Sequence, residues 1–232
     1  MTSELSWLNA ADLQLNYRKI NPPPPFHHSL SAELGRLYKW LSLLSLPRTP
    51  VLACIVTIKA STTSASMQQE LNDTHYMELA LQQAEHAPQV GEVPIGAVLV
   101  HHDEVIAAGH NYREISKDPT AHAEMIVIRK AAEQLKTWRL TDTTLYVTLE
   151  PCPMCAGAIV QARIARLVFA AWDPKAGACG SIVDIPGERR FNHRVQVAGG
   201  LLEQQSRALL QEFFQEKRGN ASGKYRPPKP VV

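Results

Sequence analysis

Two short segments hold the residue types best suited to chemistry: residues 119–125 (PTAHAEM) and residues 150–155 (EPCPMC). Histidine nitrogen and cysteine sulfur are borderline-soft donors that suit zinc. A catalytic zinc takes three protein ligands and leaves a fourth position open, and His122, Cys152 and Cys155 supply that count. Cys152 and Cys155 are i and i+3, so they share one face of a helix that begins there. Unpaired backbone N–H groups and the positive helix end favour thiolate at that position. His122 follows Pro119 and Thr120, which mark a second helix start. The spacing therefore predicts two helix N-termini converging on one cation. Glu124 stands two residues from His122, and on a regular helix that spacing points side chains to nearly opposite sides, so it is not read as a further ligand. It is expected instead to approach from another angle as the general acid/base. Zinc lowers the pKa of bound water to about 7, and a carboxylate beside that water can take the proton and return it to a departing amine.

Each segment alone has other readings. His-Ala-Glu at a helix start can be a cap or a surface feature, and Cys-Pro-Met-Cys can be a redox pair or half of a structural zinc site. A thioredoxin-like pair follows the first strand of its domain, whereas this one follows the third expected strand. Cys54 and Cys179 are isolated, so no second close pair completes a four-ligand structural site. Taken jointly, His-x-Glu and a Pro-Cys-x-x-Cys about thirty residues later form the signature of the zinc deaminases of nucleobases.

These residues need elements to hold them. Met77, Ala80, Leu81 and Ala84 recur at helical spacing and predict a helix over about 73–87. Residues 94–100 (PIGAVLV) and 104–112 read as a β-hairpin turning near Asp103. A helix carrying Ile128, Ala131, Ala132 and Leu135 on one face follows Thr120, and residues 144–149 (TLYVTL) read as a strand. A third helix is expected over 153–165, strands over 167–171 and about 195–197, and a Gly-rich loop over 173–181 between those two strands. The last helix presents Leu202, Leu209, Leu210 and Phe213 on one face and closes on Lys217 and Arg218. Alternating strands and helices imply an α/β layered domain.

The 232 residues, 45% hydrophobic and 20% charged, match a globular chain and exclude a collagen-like or wholly disordered one. No uninterrupted apolar run reaches the roughly 18 residues of a membrane span. Four scattered cysteines do not make a disulfide framework, which points to a reduced, cytoplasmic compartment. No charged-then-apolar leader opens the chain. Acidic residues near the start weigh against an organellar transit peptide without excluding one. Residues 1–66, with Pro22 to Pro25 in a row and a Ser/Thr cluster near their end, keep no period and are expected to be a dispensable extension, disordered apart from a possible helix over 30–46 and strand over 51–58.

Over residues 74–218 the chain resembles the cytidine-deaminase-like superfamily, and within it the bacterial tRNA-specific adenosine deaminases. The blocks GEVPIGAVLV, GHN, DPTAHAEM, LYVTLEPCPMCAGAIV, DPKAGACGS, NHRVQVAGG and LLQEFF carry the resemblance, and several lie outside the zinc motif. The resemblance implies a three-layer fold, with a central mixed five-stranded sheet covered by helices on both faces. It implies hydrolytic deamination of the wobble adenosine of an arginine tRNA to inosine. It assigns one zinc per subunit to His122, Cys152 and Cys155 and proton transfer to Glu124. Asn111 would hydrogen-bond the nucleoside, the Ala123 backbone would help hold the base, and Ile95 and Leu149 would wall the pocket. Asp173 would lie near the RNA backbone. Phe213, Phe214, Lys217 and Arg218 would meet flanking nucleotides, and Asn192 and His193 match a block of lesser role. Such proteins are homodimers. Lys217 stands where the family has arginine, keeping charge but losing a planar donor, and Trp172 departs from the small or basic residue expected. Alternatives stay open. Ile95 and Leu149 can be plain core, Asn111 a turn cap, Asp173 a turn opener, His193 satisfied within the fold, and one of the two phenylalanines packing. A deaminase of free cytosine, guanine or their nucleosides is the rival activity.

The net charge of +2 (24 basic, 22 acidic) conceals a division. Residues 1–66 hold 6 basic and 3 acidic, residues 67–216 hold 13 and 19, and the tail from Lys217 onward holds 5 and none. The acidic body thus ends in a basic segment onto which a phosphate backbone could dock. Because the resemblance begins just after Met67, a chain starting at Met67 is expected to be as soluble and active as the full one. Loss of activity on that truncation, measured by inosine formation, would make the extension a working element.

Overall fold

The computed structural model describes residues 50–221, with side chains from 67 to 219. The expected helix over 30–46 and the end of the basic tail lie outside the described residues. Internal contacts divide the chain into two units, Met1–Glu70 and Leu71–Val232. The second holds the sheet and every residue with a chemical role.

The elements in order are α1 (Pro50–His86), a 3-10 turn (Ala87–Val90), β1 (Gly96–His101), β2 (Glu104–His110) and α2 (Arg113–Ser116). Then come α3 (Ala123–Leu135), β3 (Thr143–Leu149), α4 (Pro153–Gln161), β4 (Arg166–Ala171), β5 (Gln196–Gly199) and α5 (Glu203–Ala221). The sheet order is β2-β1-β3-β4-β5. β1 pairs antiparallel with both β2 and β3, while β3–β4 and β4–β5 are parallel. The sheet is therefore mixed. His102 and Asp103 both take positive φ (49° and 61°), the two-residue turn whose twist suits a hairpin.

Strand periodicity sorts the core into two halves. Ala97, Leu99, Leu145, Val147, Leu167 and Phe169 face Val127 and Ala131 of α3 and Ile159 and Val160 of α4. The alternate residues Val98, Val100, Tyr146, Val168 and Ala170 face Tyr76, Met77 and Ala80 of α1, with Leu201 and Leu202 packed alongside. Both faces are covered, so β1 and β4 read as continuous apolar runs rather than alternating ones. Gly96 lets α1 come close, since a Cβ there would lie 2.1 Å from the Ala80 carbonyl oxygen.

The structure moves several expected boundaries. The helix expected from residue 73 begins at Pro50, so residues 51–58 are helical and not a strand. A short apolar run reads either way by periodicity alone. α4 stops at Gln161 rather than continuing to 165, because Arg163 turns left-handed (φ 65°) and delivers buried Ile164 into the core. Leu202, also at positive φ, precedes α5 rather than belonging to it, and Lys217 and Arg218 lie near the end of that helix, which runs on to Ala221.

Asp73 fastens α1 to the sheet. Arg166 donates Nη1–H and Nη2–H to its two carboxylate oxygens, both at 2.6 Å, and the Tyr146 hydroxyl donates to Oδ1 at 2.7 Å. Burial, reinforced by Asp73, holds the Tyr146 phenol above its ordinary range. Arg166→Met removes the bidentate partner of a carboxylate that is 7% exposed. The guanidinium is partly solvated, which puts the expected loss at about 2–3 kcal/mol, below the fully buried range. Urea unfolding measures it, and the metal-binding capacity of the folded protein is expected to be unchanged.

Candidate active site

The carboxyl end of β3 carries the chain into Glu150, Pro151 and Cys152, the end of a parallel strand where open α/β sheets place their ligands. Cys152 is the N-cap of α4, extended at φ −70° and ψ 170°, with Pro153 opening the helix. Cys155 lies one turn in and is fully buried. His122 is likewise the N-cap of α3, at φ −76° and ψ 154°. The turn before it is built by Asp118, whose Oδ1 accepts from the Thr120 amide at 2.8 Å and the Thr120 hydroxyl at 2.6 Å.

These two helix starts converge. His122 Nδ1 lies 3.7 Å from Cys152 Sγ and 3.6 Å from Cys155 Sγ, and the three donor atoms lie within 4.8 Å of one another. A tetrahedral zinc with bonds of about 2.3 Å to sulfur and 2.05 Å to nitrogen sets its sulfur and nitrogen ligands about 3.6 Å apart. The donor set and its spacing therefore fit such an ion. Among the described residues this is the one His/Cys/Asp/Glu cluster that could hold a metal.

Electrostatics agree with the geometry. The Cys152 sulfur receives hydrogen bonds from Cys155 and from His122, which overcome burial and bring its thiol down to about 4. Cys155, as the donor in that pair and deeply buried, is pushed up. Hydrogen bonding to Cys152, opposed by burial, raises His122. Glu124, 4% exposed, sits beside the Cys155 thiol, and burial raises its carboxyl above the ordinary range. Residues two apart on a helix diverge, but His122 is extended rather than helical and can face the same site as Glu124.

Asn111 is buried, and its Oδ1 accepts from the Ala123 amide at 3.0 Å while its own amide donates to the Ile95 carbonyl at 3.0 Å. Its carbonyl thus meets the start of α3, twelve residues away, rather than a local turn. Its Nδ2, with no partner among the described residues, is the group left to donate. Ile95 packs against the core and Leu149 is half-buried opposite Ala171. Asp173 is half-buried, and its Oδ1 accepts from the Lys175 amide at 2.9 Å, the bond of a turn opener. His193 Nε2 meets the Ile164 carbonyl at 2.7 Å, at the start of β4 and the opposite end of the sheet from the thiols. His193 is thus satisfied within the fold, and its neighbour Asn192 is exposed. Phe213 is buried, whereas Phe214 is 47% exposed, so Phe214 is the member of the pair free to meet a ligand. Lys217 and Arg218 are exposed on α5. Trp172 is 39% exposed and meets Phe169 edge-on. An open groove lined by Val183, Ile185, Arg190 and Phe191 lies outside this donor set.

Sequence reasoning missed Glu150. It is 2% exposed, and its carboxylate accepts from the amides of Asp173 (3.0 Å), Cys179 (2.9 Å) and Ser181 (3.0 Å) and from the Ser181 hydroxyl. Burial alone would raise its pKa, but these donors together hold it below the ordinary carboxylate range. The available signal was an acidic residue ending an apolar strand, with a Gly-rich loop still to be anchored.

The sequence pattern of the MafB19-like deaminases matches residues 71–218. The tRNA-specific adenosine deaminase of Bacillus subtilis (strain 168) is 51% identical over 146 residues, spanning 63% of this chain and 91% of that protein. The chloroplastic tRNA(adenine(34)) deaminase of Arabidopsis thaliana is 45% identical over 159 residues, 62% of this chain and 12% of that longer protein. A solved structure from work on A-to-I editing by tRNA:A34 deaminases at the wobble position of transfer RNA superposes with a TM-score of 0.57 at 50% identity. It covers 59% of this chain and 99% of that one.

The thiols give the site a direct test. In protein stripped of metal by a chelator, Cys152 is expected to alkylate rapidly down to about pH 5 and to slow as the pH approaches its pKa of about 4, below which thiolate is lost. Cys155 and Cys179, both held up, are expected to stay unlabelled until the protein unfolds. Peptide mapping after a brief pulse reads the order, and Cys179 labelling first would contradict it.

Proposed function

Because this chain belongs to the family of tRNA-specific adenosine deaminases, we propose that it uses zinc to convert the wobble adenosine of an arginine tRNA anticodon to inosine, with water consumed and ammonia released. Membership makes it a hydrolytic deaminase that acts on tRNA. Zinc, the residue roles and the identity of the tRNA are the proposed part. The observation that carries the reading is the trio His122, Cys152 and Cys155 at ligand spacing with a buried carboxylate alongside. The arginine tRNA rests on the motif resemblance alone.

His122, Cys152 and Cys155 would hold the ion, and the thiolates would offset its charge. Zinc in such a site supplies the lowered water pKa that makes a nucleophile available near neutral pH. Glu124 performs the proton work. Its buried carboxylate accepts the first proton of the attacking water and delivers it to the ring nitrogen, then takes the remaining proton from the new C6 hydroxyl and delivers it to the departing amine. Asn111 is held in place by the Ala123 amide and donates Nδ2–H to the nucleoside, while the Ala123 backbone, Ile95 and Leu149 bound the base. An anticodon loop suits this arrangement, since its unpaired bases are extruded at low cost. Phe214, with Phe213 packed beneath, Lys217, Arg218 and Asp173 are assigned to the flanking nucleotides and backbone.

The working unit is proposed to be a homodimer, a reading supported by the family resemblance and by exposed Val183 and Phe191 along an open groove. A cytoplasmic setting is supported by the cysteine usage, and the chloroplastic relative supports an organellar one. No helix among the described residues is long and apolar enough to cross a membrane. Residues 1–66 are proposed to be dispensable for the reaction.

The decisive assay offers the purified protein an arginine tRNA anticodon stem-loop beside free adenosine, cytosine and guanine. Inosine is expected in the RNA alone, and ammonia released from the free bases alone would overturn the reading. Glu124→Ala is expected to lower kcat by at least about a hundredfold with zinc still bound. Cys152→Ala is expected to lose the metal by elemental analysis.

A further inference from the structure

Four donors on a nine-residue loop converge on a carboxylate that takes no part in the proton chemistry above. Glu150 Oε1 accepts the amides of Cys179 and Ser181, and Oε2 accepts the Asp173 amide and the Ser181 hydroxyl. The loop 173–181 is thus tied at both ends to one side chain, two residues before the first cysteine of the site. A further bond runs from the Ala178 amide to the Pro151 carbonyl at 2.9 Å, which places the loop beside the segment leading to Cys152. Gly177 completes the fit. A Cβ there would lie 2.2 Å from Glu150 Oε2 and 2.6 Å from the Asp173 carbonyl oxygen, so any larger residue would displace the carboxylate.

The choice of a charged residue has a physical reason. A loop whose amides point inward must find acceptors, and one ionised carboxylate accepts several donors where a neutral amide side chain would add donors of its own. Nothing in the deamination requires this carboxylate. Its effect is to hold the loop that begins at Asp173, whose buried Ala178 and Cys179 join the same core as Ala123 and Ala156.

We propose that Glu150 is a positioning residue that presents the loop 173–181 to the RNA, and so sets affinity for the tRNA rather than the rate of the chemical step. The inference rests on the tRNA reading above.

Glu150→Gln keeps the shape but turns an NH2 group toward two of the four donors. With the anticodon stem-loop as substrate, KM is expected to rise about tenfold, the equivalent of one or two unsatisfied donors. kcat is expected to change less than about threefold, with zinc content unchanged. Hydrogen exchange of the peptide spanning residues 172–182 is expected to quicken about tenfold. An unchanged KM, or a loss confined to kcat or to zinc, overturns the proposal. If Glu150→Gln does not fold, Ser181→Ala decides. It removes one exposed donor and is expected to raise KM about threefold, and no change overturns the proposal. Wild-type protein that makes no inosine in the stem-loop defeats the tRNA reading instead. The exchange comparison then still tests whether Glu150 holds the loop, and unchanged exchange overturns that role.

Discussion

Three soft donor atoms from segments thirty residues apart meet within 4.8 Å of one another, and much of the fold follows from that convergence. Each segment reaches the meeting point as the N-cap of a helix, so each presents its side chain from extended backbone at a positive helix end. α3 and α4 lie on the same face of the sheet, packed on the core formed by Leu145, Val147, Leu167 and Phe169. Their N-termini can then converge without strain. Cys155, one turn inside α4, completes the group from the same helix face, 3.6 Å from His122 Nδ1.

Around that centre the protein buries charge in places where hydrogen bonds or ion pairs compensate it. Asp73 is neutralised by Arg166 and hydrogen-bonded by Tyr146, and Glu150 collects four donors. For Glu124 burial outweighs the hydrogen bonds from its own backbone amide and the Cys155 thiol, and pushes its carboxyl upward. The contrast separates function from architecture, since a carboxylate held below its usual range is a fixed acceptor, whereas one pushed up can carry a proton. Glu92 is fully buried, its Oε1 accepts the Ile115 amide at 2.8 Å, and its Oε2 has no partner among the described residues.

The layered fold and the grouping of His122, Cys152 and Cys155 were legible in the sequence, because helical and strand periods and short-range motif spacings are local properties. His122, Cys152, Cys155 and Glu124 were found from motif spacing, and the hairpin turn at Asp103 from its position between two apolar runs. Three features were not legible. The start of α1 was missed because its apolar run reads either way by periodicity, the end of α4 because it is set by one left-handed residue, and the anchoring role of Glu150 because its partners are distant along the chain. Glu150 bonds to residues 23 to 31 positions away, and Asp73 to one 93 away. The periodic signal of 153–165 overran Arg163 because pattern alone does not show a single left-handed residue.

By itself the sequence determined which atoms could bind a metal, which carboxylate could move protons, and that alternating elements would build an α/β layered domain. These rest on side-chain chemistry and on periods of two and 3.6 residues, which travel with the chain. Only the tertiary structure decided that Glu124 faces the trio despite its spacing from His122, that Phe214 rather than Phe213 is exposed, and that His193 lies at the far end of the sheet. Only there does Glu150 become the hub of its loop. The reason in each case is that burial and hydrogen-bond partnership are set by segments remote in sequence, and become definite only when the sheet brings those segments together.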